Sequence, residues 1–222
     1  MKPAVALPQS LKQVAVEEIR RRIFARELAA GSRIEQEALA EQIGMSKIPV
    51  REAISALVAE GLVEVFPRRG AFVVSLSRQD IEDHYWMLAR ISGHAAARAA
   101  AVVSDATLAQ LETTLDALQA TDDDDERARL AASFHAIINQ AAGSRRMNSV
   151  LRTLGSPIPL DFYDSNPDAH AHDEHRALLD ALIAHDPDRA RAAMDAHFEN
   201  GAAEAIAALE RSGFWADGDE AS

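Results

Sequence analysis

The 222-residue chain has no cysteine. That excludes a disulfide framework and any thiolate chemistry, and it suits a reducing cytoplasm. It has no run of 18 apolar residues, so no segment reads as a membrane-spanning helix. Its opening, MKPAVALPQS, is too short and too interrupted to read as a secretory signal. No histidine precedes His84, and all eight fall between His84 and His197. Beyond about residue 77 no strand pattern occurs. There is no internal repeat and no low-complexity tract beyond alanine-rich helix.

What is present is enough apolar material for a core, 48% of the residues, which argues against wholesale disorder. The net charge of −12 taken alone speaks against a nucleic-acid partner, but the charge is unevenly spread. Residues 1–76 carry 11 Lys and Arg against 9 Asp and Glu, whereas residues 77–222 carry 12 against 26. A mildly basic front and a strongly acidic back imply two modules with different partners.

The front module shows helical spacing at Leu11, Val14, Ala15, Ile19 and Ile23. Gly31 breaks the pattern, and Ser32 with Glu35 has the form of a capping box for a second helix that ends at Gly44. A third helix starts at Ser46, tolerates Pro49 in its first turn, buries Ile54, Leu57 and Val58, and stops at Gly61. Two β-rich runs, Val63–Phe66 and Ala71–Val74, flank the turn PRRG and predict a hairpin. Three helices and a hairpin make a winged helix-turn-helix. In such a unit the third helix enters the major groove by its N-terminus. Lys47 and Arg51, four apart, point the same way, while Arg68 and Arg69 tip the wing and Gly70 gives the backbone room.

The stretch LAEQIGMSKIPVREAISALVAEGLVEVFPRRGAFV resembles the DNA-binding domain of the GntR family of bacterial transcription regulators. The resemblance implies that Ser46, Lys47, Ile48, Pro49 and Arg51 start the recognition helix, and that Arg68, Arg69 and Gly70 form the wing. Lys47 stands where the family usually has arginine and Ile48 where it has threonine. The first change trades a bidentate fork for a point charge.

The back module predicts six helices, near 78–102, 105–120, 124–142, 144–154, 168–185 and 187–211. The domains therefore read as 1–76 and 77–212, with 213–222 a flexible tail. His135, His175 and His197 each sit on an apolar helical face. Converging inside a bundle they would bind a metal, or else line a pocket or core as hydrogen-bonding groups. His170 and His172 fall in DAHAHDEH, which reads as a solvated loop.

The segments YWMLARISGHAAARAAA, SFHAIINQAAG and EHRALLDALIAHDPDRARAAMDAH resemble the FCD effector domain of the FadR-like branch of GntR regulators. That resemblance implies an all-helical bundle holding a divalent metal through one Asp and three His, together with a small carboxylate effector; three histidines alone suit zinc or nickel. His135, His175 and His197 match the three histidines. The aspartate position is Ala131, so Asn139, one turn after His135, is the candidate oxygen donor. Arg90 matches an arginine suited to an anionic effector, and His94 stands where the family has a glutamate.

The whole is thus expected to be a mainly α, cytoplasmic, effector-controlled repressor that binds a palindromic duplex operator as a homodimer. A metal-dependent helical-bundle enzyme is the alternative, although no general base stands near the histidines in sequence.

Overall fold

The computed structural model describes residues 10–155, 158 and 169–215; of residues 169–172 it describes the backbone alone. They form two compact units, one of residues up to Ser77 together with those from Ser212, the other Arg78–Arg211.

The first unit opens with α1 (Leu11–Phe24), capped by Ser10, whose Oγ accepts from the Gln13 amide at 3.2 Å. Ala15, Val16, Ile19, Ile23 and Phe24 are its buried stripe, and Leu11 at the exposed tip lies outside it. The next element, β1 (Arg33–Ile34), was not foreseen. It precedes α2 (Gln36–Gln42) and α3 (Lys47–Ala59), followed by β2 (Val63–Phe66) and β3 (Gly70–Val73). The wing is therefore a three-stranded antiparallel sheet in the order β1-β3-β2, with Arg33 opposite Phe72 and Ile34 opposite Ala71.

That pairing explains why the Ser32–Glu35 capping box does not form. Residues 33 and 34 are extended, and Glu35 becomes the N-cap of α2 without a side-chain bond. Between α2 and α3, Gly44 takes φ +67 with open space where a side chain would point. Only the left-handed backbone demands glycine there. α3 buries Val50, Ala53, Ile54 and Leu57, whereas Val58 is 40% exposed.

Among the described residues the second unit is all helical: α4 (Arg78–Ala100), α5 (Asp105–Ala120), α6 (Asp124–Ala141), α7 (Arg145–Leu154), α8 (Ala169–Ile183) and α9 (Pro187–Arg211). Side-chain caps at Ser104, Asp123 and Ser144 start α5, α6 and α7. The acidic run at 122–126 thus places its charges on the first turn of α6, where the helix dipole favours them. The core joins Leu111 and Leu115 of α5, Phe134 and Ile138 of α6, Leu178, Leu179 and Leu182 of α8, and Met194 of α9.

α4 and α9 run antiparallel. Arg78 pairs with Glu210 at 3.0 Å, Tyr85 lies against Gly201, and Gly93 lies against Arg191 and Asp195. Small buried residues on α4 (Ala89, Ser92, Gly93, Ala96, Ala100) allow this approach.

Two expectations change here. Residues 170 and 172, read as loop, have helical backbone within α8; their side chains lie outside the described residues. The expected tail 213–222 begins with packed aromatics, because Phe214 stacks on Phe24 at 5.5 Å and Trp215 is only 7% exposed. Residues 216–222, and most of the expected break at 155–159, lie outside the described residues.

Leu57 is fully buried in the first unit. Leu57→Ala should cost that unit about 2–5 kcal/mol. Amide exchange in α1 and α3 should accelerate while α5 and α6 keep their rates.

Candidate nucleic-acid interface and metal centre

α1 holds the far end of α3 and the end of α2 from behind. Arg20 of α1 pairs with Glu60, just past the end of α3, at 2.6 Å, and Arg22 of α1 donates to Gln42 Oε1 at 2.7 Å. These contacts, with the buried face of α3, fix the opposite face outward. Ser46, Lys47, Ile48 and Arg51 are all exposed, Ile48 by 60%. Ser46 occupies the N-cap position but makes no side-chain cap bond. Its hydroxyl and the first amides of α3 remain directed at whatever the helix approaches.

Pro49 differs from the expectation for a contact residue. It is buried in the first turn, so it fixes the helix start and is not offered outward. Lys47 also differs, because its ammonium is taken by Glu37 of α2. That ammonium holds the Glu37 carboxyl below its usual range, through the hydrogen bond first and charge second. Arg51 therefore carries the more available positive charge on this face.

At the wing tip Arg68 adopts φ +66 and is exposed. Arg69 lies over the rings of Phe66 and Phe72, 5.4 and 5.5 Å from their centroids, which restrains its guanidinium. Gly70 does not leave open space, since the Arg33 guanidinium covers it and a Cβ there would meet Arg33 Nε at 3.0 Å. Arg33, exposed and paired with Glu35 at 3.1 Å, is a third wing arginine that the sequence did not reveal. It joins the wing only through the two-residue strand β1.

In the second unit the three histidines do meet. Their ring centroids are 5.1, 4.9 and 4.7 Å apart, and one nitrogen of each lies within 4.8 Å of the others. His135 comes from α6, His175 from α8 and His197 from α9. His175 is 4% exposed. Phe134 and Phe198 pack edge-on or tilted against the rings.

His135 Nε2 and His175 Nε2 are 3.2 Å apart. Two nitrogens bound to one zinc at about 2.0–2.1 Å, with octahedral to tetrahedral angles, lie roughly 2.8–3.4 Å apart. The spacing is that of a ring-to-ring hydrogen bond and also falls within the range for a shared cation. His197 Nδ1 donates to Glu174 Oε2 at 2.8 Å, and Asn200 Nδ2 donates to the other oxygen at 2.6 Å. A carboxylate only accepts, so Nδ1 of His197 carries a proton, and in the neutral imidazole Nε2 would be the nitrogen left to ligate. Burial raises the Glu174 pKa, but bonds from His197 and Asn200 outweigh it and the net shift is downward. For His135, burial first and then the neighbouring His197 and His175 hold the pKa well below the ordinary value. It is therefore a neutral imidazole, the form a cation requires.

Neither Glu174 nor Asn200 was singled out from the sequence. Asn200 follows His197 by three positions and shares its face. Glu174 precedes His175 and so turns toward α9. Asn139, one turn after His135, is half-buried, and its Oδ1 has no hydrogen-bond partner among the described residues; nor does His135 Nδ1. Ala131 offers no ligand atom.

Arg90 and His94 are not brought to this cluster. Arg90 is exposed and paired with Asp195 and Glu199, two positions either side of His197 and thus on the opposite face of α9. Burial raises the Asp195 pKa, with Arg90 pulling the other way. His94 is exposed on α4.

Residues 11–73 match the family described as bacterial regulatory proteins, gntR family, and residues 83–200 match the FCD domain. An uncharacterized HTH-type transcriptional regulator of Mycobacterium tuberculosis (strain CDC 1551) is 26% identical over 187 residues, covering 82% of this chain and 75% of that one. The HTH-type transcriptional repressor RspR of Escherichia coli K12 is 24% identical, covering 86% and 87%. The structure of E. coli McbR/YncC covers 91% of this chain and 98% of its own, with TM-score 0.68 and 21% identity, a likeness of fold. The family and its named relatives are regulators and not enzymes, which sets the enzyme alternative aside. With an outward helix tip and basic wing in front, and a helical FCD domain behind, the chain belongs to the GntR family of transcriptional regulators.

Proposed function

We propose that the protein is a dimeric repressor of a palindromic operator, controlled by a small carboxylate effector and a divalent metal. The observation that carries the DNA half is the shared exposure of Arg51, the α3 N-terminus and the arginines of the wing. Arg51 suits bidentate pairing with a guanine edge, and Arg68, Arg69 and Arg33 suit phosphate or the minor groove. Two copies supply two recognition helices for successive major grooves. The exposed stripe of Trp86, Met87, Arg90 and His94 on α4 supports the pairing, as surface that a second copy covers.

His135, His175 and His197 would hold zinc or nickel, with Glu174 orienting His197 and Asn139 supplying an oxygen in place of the aspartate. A bound dication would supply the positive charge that recognises a carboxylate. Asn139 and the phenylalanines would orient that acid and exclude water. Control follows only if effector affinity differs between DNA-competent and incompetent states. The cytoplasm is the compartment consistent with this role.

Arg51→Ala should weaken binding to a selected operator by about 1–3 kcal/mol, roughly 5- to 150-fold, with an unchanged circular-dichroism spectrum. Unaltered affinity in a titration would remove Arg51 from the interface. Elemental analysis should find zinc or nickel in the purified protein and little in His175→Ala, while Ala131→Asp should lose metal more slowly to a chelator. Equal metal in wild type and His175→Ala would contradict the site.

The neutral His135 imidazole gives a pH signature. Its pKa is lowered in the fold from about 6.5, so below that pH the unfolded chain binds a proton that the native chain refuses. Stability should fall as pH falls from about 6.5 toward the native pKa, by up to about 1.4 kcal/mol per pH unit, and level off above about pH 7. Urea melts from pH 5 to 8 in chelator should show this slope, and His135→Phe should flatten it.

A further inference from the structure

The residues just after α9 are built into the first unit. Gly213 carries φ +73, and its carbonyl accepts from Arg26 Nη1 at 3.0 Å. Phe214 stacks on Phe24 at 5.5 Å, and Trp215 packs edge-on against Phe214 at 5.4 Å. The buried Trp215 indole donates from Nε1 to the Leu76 carbonyl at 2.7 Å. The partners are the end of α1 and the extended segment that leaves β3, the two pieces flanking the wing sheet.

Chain connectivity gives this packing its consequence. The chain passes from Leu76 into α4 at Arg78, and it leaves α9 at Arg211 to reach Trp215. Because α4 and α9 are antiparallel, with Arg78 paired to Glu210, both covalent links start from one end of one helix pair. The Trp215–Leu76 bond then ties those links together within the first unit. The segment that reaches Trp215 continues the helix that carries His197.

We propose that Gly213–Trp215 is a positioning element of the DNA-binding unit, holding the end of α1 and the exit of the wing so that helix tip and wing arginines keep one arrangement. The functional half of this proposal rests on the DNA-binding reading above; the structural half does not.

The test uses full-length protein and three forms: wild type, Trp215→Ala and Trp215→Phe. Amide exchange is read separately in residues 11–24, 70–76 and 95–100, and affinity is measured for a mixed-sequence duplex at low salt. Trp215→Ala should speed exchange at least tenfold in residues 11–24 and 70–76, leave 95–100 unchanged, and weaken DNA binding at least fivefold. Trp215→Phe, which keeps the packing and loses the indole donor, should recover most of both. Unchanged exchange in 11–24 and 70–76, or equal acceleration in 95–100, would overturn the proposal, as would faster exchange with unchanged DNA affinity. Faster exchange in a protein whose wild type binds no duplex would uphold the clasp and refute the DNA-binding reading.

Discussion

The close antiparallel contact between α4 and α9 is the constraint on which most of the second unit depends. It works because α4 presents alanine, serine and glycine where α9 arrives; at Gly93 any side chain would run into Asp195. Fixing α9 in this way fixes His197 against His135 and His175. It also decides that Asp195 and Glu199 face Arg90 and not the histidines. One packing choice thus separates the polar groups of α9 into an exposed ion-pair face and a buried imidazole face.

Neutrality is the second requirement. Imidazoles this close and this buried cannot all be charged, and desolvation with mutual repulsion keeps His135 unprotonated. Glu174 fixes the tautomer of His197 from the neighbouring helix. The same physics that makes the cluster costly as cations makes it suited to accept one. With Ala131 in place of an acid, a cation bound here would be less compensated, which would favour an anionic partner.

The recognition helix was legible because its signals are local: a glycine that needs a left-handed turn, a proline in the first turn, and an apolar stripe at helical period. The three histidines were legible because each sits on an apolar face that had to point inward. What the sequence hid was pairing between distant segments. β1 has two residues, too few for a pattern, yet it brings Arg33 to the wing and cancels the Ser32–Glu35 cap. Lys47 looked like a free cation until α2 placed Glu37 beside it. Arg90 matches a family arginine in position, but such a match does not say which neighbour supplies acids. Phe214 and Trp215 looked like a frayed end because glycine and acids surround them; their apolar partner is some 190 residues earlier in the chain, at Phe24.

The central proposal is that the outward tip of α3 and its wing read duplex DNA in a two-fold arrangement. The most direct measurement is a hydroxyl-radical footprint on a duplex selected by the full-length protein from random sequence. The account predicts enrichment of a palindrome and two symmetric protected segments whose centres lie about one helical turn, roughly 10 base pairs, apart. Failure to enrich any sequence, or a single protected segment with no two-fold partner, would contradict it.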